Sequence, residues 1–106
     1  MGASRVIFHQ DAIADVKNAV AWYQERSARA ALDFIEELGR ATDTIREAPQ
    51  RWPLGKNKTR RFLLWRFPFA VIYSEQASGI TVWAVAHGSR LPEYWKDRLP
   101  ERTRLP

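Results

Sequence analysis

His87, Arg90 and Tyr94 stand close together just after the alternating run Ile80 to Ala86, and their types suit chemistry on a phosphodiester. Cutting RNA without a metal needs a base for the 2′-hydroxyl and an acid for the leaving 5′-oxygen. It also needs cations to hold the charge that builds on phosphorus. A histidine titrates at about pH 6.5 when unperturbed, so His87 can fill either proton-transfer role. Arg90 can grip the phosphate with its bidentate fork, and Tyr94 can donate a proton or stack on a base. The same residues also suit a structural role, with His87 closing a strand through a hydrogen bond while Tyr94 and Trp95 cover a sheet edge.

A second group is cationic. Lys56, Lys58, Arg60, Arg61 and Arg66 surround or adjoin Phe62, Trp65 and Phe67. Basic side chains track a phosphate backbone, and aromatic rings stack on unpaired bases. Phe62 and Phe67 read as core. Arg61 and Arg66 read as contacts to an anion, either phosphate or a carboxylate of a protein partner. In the catalytic reading Arg66 joins Arg90 on the phosphate. Lys56, Lys58, Arg60, Arg61 and Trp83 form the expected binding surface for nucleic acid or a partner. Other chemistries find no support. The two histidines, His9 and His87, make no metal motif, and there is no cysteine. No Gly-rich phosphate loop or nucleophile elbow is present. No metal and no cofactor are expected. Trp22–Tyr23 reads as core.

The net charge of +5 is unevenly spread: residues 1–50 sum to −2 and residues 51–106 to +7. The second half therefore favours an acidic partner, a nucleic acid or an acidic protein segment. Val6, Ile7 and Phe8 are too short an apolar run for a secretory signal, and no run approaches the roughly 20 residues that span a bilayer. The chain is expected to be soluble and cytoplasmic, with no membrane partner. At 106 residues it is read as a single domain over 1–106.

The elements that must position these groups follow from periodicity. Ser4 to His9 reads as a strand. Ile13, Val16, Val20 and Tyr23 recur at helical spacing, as do Phe34, Leu38, Ala41 and Ile45. Ser27 between them suits an N-cap, and Pro49 stops the second helix. A loop over Gln50 to Lys58 leads to three short strands: Phe62 to Arg66, Phe69 to Ser74 and Ile80 to His87. Short connections make them an antiparallel meander. The first strand adds to that sheet, and the helical hairpin packs on one face. This is an α+β fold. Alternation in the last strand puts Ile80, Val82, Ala84 and Ala86 towards the helices and Thr81, Trp83, Val85 and His87 on the opposite, more functional face. Pro92 to Leu99 allows one more helical turn.

In that order the pieces resemble one family. Ala19-Val20-Ala21-Trp22-Tyr23 followed by Phe34 and Leu38 looks like the helical hairpin of RelE/ParE toxins. Arg61-Phe62 through Arg66-Phe67-Pro68-Phe69-Ala70-Val71-Ile72-Tyr73 is similar to their central hairpin. Ala84-Val85-Ala86-His87, then Arg90, Pro92 and Tyr94-Trp95, resembles the ending of the branch labelled plasmid-stabilisation proteins. The likeness spans about residues 6–98. It implies a growth-inhibiting toxin of a type II toxin–antitoxin pair, neutralised by a cognate antitoxin whose extended or helical segment wraps it. A heterotetramer with that antitoxin is compatible with the resemblance. RelE-like members are ribosome-dependent, metal-independent endoribonucleases that cut mRNA; ParE-like members inhibit DNA gyrase by binding. The place of a RelE-like basic side chain is Ala70 here, and Arg60, Arg61 and Arg66 stand where lysines or a glutamate are expected. Three readings stay open: an RNA-cleaving toxin, a gyrase-inhibiting toxin, and an inactive domain of this fold that only binds its partner.

Overall fold

The computed structural model describes residues 5–100. Strand β1 (Val6–Phe8) is followed by helix α1 (Gln10–Arg26) and helix α2 (Ala28–Glu47). Strands β2 (Arg60–Leu63), β3 (Phe69–Gln76) and β4 (Gly79–His87) come next, with a short 3₁₀ turn over Lys56–Lys58 and another over Lys96–Arg98. The sheet runs β1-β4-β3-β2. β2, β3 and β4 form the antiparallel meander, and β1 joins β4 in parallel, which the intervening helical hairpin makes possible. No helix among the described residues is long and apolar enough to cross a membrane.

Local chemistry explains the boundaries. His9 caps α1 by accepting the Asp11 N–H on Nδ1 (3.0 Å), and Ser27 caps α2 through its side-chain oxygen (3.2 Å to the Ala30 N–H). Ala48 ends α2 just before Pro49, as its sequence position requires. Gly79 opens β4 at φ +136°, and a Cβ there would sit 2.5 Å from the Arg5 carbonyl oxygen. Only glycine lets Ile80 donate to that carbonyl (2.7 Å) and so dock the segment before β1. β2 covers Arg60–Leu63 rather than the expected Phe62 to Arg66, and the difference has a cause. Beyond Leu64 the backbone N–H groups of Trp65 and Arg66 turn away from the ladder to donate to the Glu37 carboxylate on α2.

The core lies between the helices and one face of the sheet. Phe34, Leu38, Ala41 and Ile45 of α2 are all buried, as their spacing predicts, with Val71, Tyr73, Ile80, Val82 and Val85 beneath them. Tyr73 keeps its buried hydroxyl satisfied by donating to the Pro49 carbonyl (2.7 Å). Phe62 and Phe67 pack on this core, as does Tyr23. On α1, Val16, Val20 and Tyr23 of the expected stripe pack against the core, and only Ile13 departs from it. Ala12 and Ala19 are buried and Ile13 is exposed, because the helix approaches the sheet closely on its small side chains.

A β-bulge overturns the expected alternation in β4. Tyr73 pairs with Val82 but Ile72 pairs with Ala84, so Trp83 is an extra residue and the pattern shifts by one beyond it. Ile80, Val82 and Val85 therefore face the helices, while Ala84 and Ala86 join Trp83 on the far face. That face is not open. Trp95 and Leu99 close over Ala70, Ile72, Trp83 and Ala84 as a second cluster.

Candidate functional site

The bulge places His87 on the helix side at the end of β4, opposite Phe69. Its ring meets the Phe69 ring edge-on, with centroids 5.0 Å apart. Nδ1 accepts the Ser89 N–H at 2.9 Å and lies 2.8 Å from the Ser89 hydroxyl. An Nδ1 used as an acceptor leaves the proton of the neutral ring on Nε2. The strand-closing hydrogen bond anticipated for His87 is present.

His87, Arg90 and Tyr94 form a wall between two cavities. One, of about 430 Å³, is also lined by Lys56, Arg61 and Glu93. The other, of about 510 Å³, opens towards α1 and is floored by Trp22, Tyr23 and Phe69. The Arg90 guanidinium lies 3.8 Å above the Tyr94 ring centroid, a cation–π contact that holds it at the crest of the wall. Tyr94 is itself pinned, since its hydroxyl donates to Asp15 at 3.2 Å. Burial and then the nearby Asp15 charge push its pKa up to about 12.

Asp15 is where the scaffold and this wall join. β1 pairs with β4 only as far as Val82, so the next backbone groups along that edge lack a strand partner. Side chains supply one. Asp15 on α1 accepts the Val85 N–H (3.0 Å), and Arg98 donates to the Trp83 carbonyl (2.9 Å). Arg98 also forms a two-pronged pair with Asp15 (2.7 and 3.2 Å). Burial opposes the charge on Arg98, but the hydrogen bonds and charge of Asp15 outweigh it and raise its pKa. Across the first cavity, Glu93 is engaged by Lys56 Nζ (3.4 Å) and Asn57 Nδ2 (3.3 Å). Asn57, Lys58 and Glu93 all adopt positive φ near 60°, so a strained rim is clasped from both sides.

The structure thus gathers His87, Arg90 and Tyr94, and brings Lys56 and Arg61 to the same cavity. The other predicted residues lie elsewhere. Lys58 is exposed outside that lining, and Arg60 donates to the Trp52 carbonyl. Arg66 lines neither cavity around His87; it pairs with Glu37 (3.2 Å) and lies 3.9 Å from Asp33 on α2. Trp83, expected as a contact for a partner, is only 7% exposed and donates its indole N–H to Ser74 (2.8 Å). It stays on the far face, where the alternation put it, but Trp95 and Leu99 close over that face and bury it. Trp22, expected in the core, is half-exposed on the second cavity.

Two residues that matter most were passed over in the sequence. Asp15 lies three after Ala12 and four before Ala19, and Glu37 lies three after Phe34 and four before Ala41, so both carboxylates sit on buried stripes. An acidic residue on an apolar stripe was the available signal, since a buried carboxylate must have partners. Glu37 has three: the N–H groups of Trp65 and Arg66 and the Arg66 guanidinium. Burial would raise its pKa, but these hydrogen bonds together lower it.

Chemically, the first cavity offers two cations, Arg61 and Arg90, that make no ion pair among the described residues. It suits an oxyanion, phosphate or carboxylate. No group of three potential metal ligands occurs among the described residues. No curated protein matches the chain. Residues 6–92, which carry both helices, all four strands, His87 and Arg90, match the family described as the ParE toxin of the type II toxin–antitoxin system parDE, with Tyr94 and Arg98 just beyond the matched span. The chain belongs to this family of type II toxins, and membership implies a cognate antitoxin as its partner.

Proposed function

We propose that this protein inhibits growth by binding DNA gyrase in the cytoplasm, and that its antitoxin neutralises it by covering the same surface, with a heterotetramer as the assembly. The observation that carries this reading is the state of the wall's proton-transfer groups. Tyr94 is committed to Asp15 and held protonated to about pH 12, and Glu93 is engaged on both oxygens. Among the described residues lining these cavities, His87 is left without an unengaged second acid or base of the kind metal-free RNA cleavage needs. Arg61, Arg90 and the aromatic floor around Trp22 instead suit contact with a protein surface, where arginine and aromatic side chains dominate binding energy.

The test compares wild type with His87→Ala. Purified gyrase is assayed for supercoiling, and mRNA integrity is followed after induction. The expected result is inhibited supercoiling with intact messages, and a His87→Ala variant that keeps most of its potency. Cleaved messages that become intact with His87→Ala would establish the nuclease reading instead. Growth unaffected by induction would leave only a binding domain.

A further inference from the structure

Trp65 is the most exposed large apolar side chain among the described residues, at 91%, and Leu63 two positions earlier is 66% exposed. Singly exposed apolar residues need no explanation. This one differs because its backbone is clamped. The Trp65 and Arg66 N–H groups both donate to the buried Glu37 carboxylate, and Arg66 adds its guanidinium at 3.2 Å. Burying a carboxylate beneath a hairpin tip is costly unless every lone pair is used. Among the described residues Glu37 is engaged only by that tip, so its effect is to fix the backbone that presents a tryptophan to solvent.

The surroundings indicate what it meets. Arg40 on α2 lines the same depression as Leu63 and Trp65, and makes no ion pair among the described residues. The tip also runs into Pro68, which accepts the Gly88 N–H (2.8 Å) and lines the cavity shared with His87 and Arg90. The knob is therefore three residues along the chain from the candidate site, on a depression of its own. A convex aromatic on a fixed backbone suits a pocket in an already folded partner, whereas a wrapping segment is better received by a groove.

We infer that Trp65, presented by Glu37, is an anchor that inserts into an apolar pocket with an acidic rim on the folded protein target of this toxin. The inference rests on the binding mode proposed above and adds the side chain that supplies its affinity. A tryptophan on an already fixed backbone avoids part of the ordering cost of docking, and truncating such an anchor weakens binding by about 30-fold or more.

The experiment uses Trp65→Ala in the full chain, with Trp65→Phe beside it. Gyrase inhibition, growth inhibition on induction, antitoxin affinity and thermal midpoint are measured in parallel. Trp65→Ala should raise the concentration for half-inhibition by about 30-fold. Trp65→Phe should fall between it and wild type, with antitoxin affinity and thermal midpoint unchanged. Equal inhibition by wild type and Trp65→Ala overturns the inference. Loss of antitoxin affinity instead overturns it by giving the knob to the antitoxin. If wild type leaves gyrase untouched, the gyrase reading fails, and growth inhibition decides the anchor: reduced by Trp65→Ala it stands, equal it falls.

Discussion

Replacing Asp15 by alanine removes the side chain that ties α1 to β4, to Tyr94 and to Arg98 of the last 3₁₀ turn. Its carboxylate is nearly enclosed, with 9% of the side chain exposed, and Arg98 opposite it has 14%. The substitution leaves the Arg98 guanidinium with only the half-exposed Asp11, 4.0 Å away, as counter-charge, and the Val85 N–H without its acceptor. Breaking one side of a buried pair costs about 3–5 kcal/mol. The four hydrogen bonds cannot be added to that figure, because they form one network and their loss is a single event. Against a total stability of about 5–15 kcal/mol the change is large, and a melting point lower by on the order of 10–20 °C is expected. Calorimetry of wild type, Asp15→Ala, Arg98→Met and the double variant measures it. The double variant should recover much of the loss, because a paired apolar replacement leaves no orphaned charge. A loss below about 1 kcal/mol for Asp15→Ala would refute the account of the β4 edge, since an exposed pair is worth no more than that.

Two further outcomes follow from the same contacts. Glu37 has a lowered pKa in the fold, so its stabilisation is fully present above its unfolded value, about 4.3, and is lost as pH falls through the folded value. In denaturant titrations Glu37→Gln should therefore lie below wild type at neutral pH by about 1–3 kcal/mol, with the gap narrowing on acidification; a gap independent of pH would disprove the clamp. Tyr94 carries the opposite sign. Its folded pKa is raised to about 12, so its contribution is complete below the unfolded value, about 10, and lost as pH rises through 12. A tyrosinate absorbance titration should show a late component near pH 12 that disappears in Tyr94→Phe, and its persistence there would assign it to another tyrosine.

The sequence by itself determined the elements and their order. Helical spacing on α2 and the caps at Ser27 and Ala48 are local facts, and a local fact is legible wherever periodicity and backbone sterics act alone. It also determined that His87, Arg90 and Tyr94 share a neighbourhood, because eight consecutive positions cannot separate far, and that the chain resembles the toxin family its residues 6–92 match. Tertiary structure decided which way the side chains face. A single extra residue at Trp83 exchanged the two rows of β4 beyond it and carried His87 to the helix side, while Trp95 and Leu99 closed over the tryptophan expected to bind a partner. Period-2 reasoning cannot anticipate a bulge, since nothing in the alternation marks where one residue is left unpaired. The partners of the charges were equally hidden. Asp15 meets Arg98 and Glu37 meets Arg66 across long stretches of chain. Those contacts exist only after the helices have docked, and they are what turn three neighbouring residues into a wall and one tryptophan into a knob.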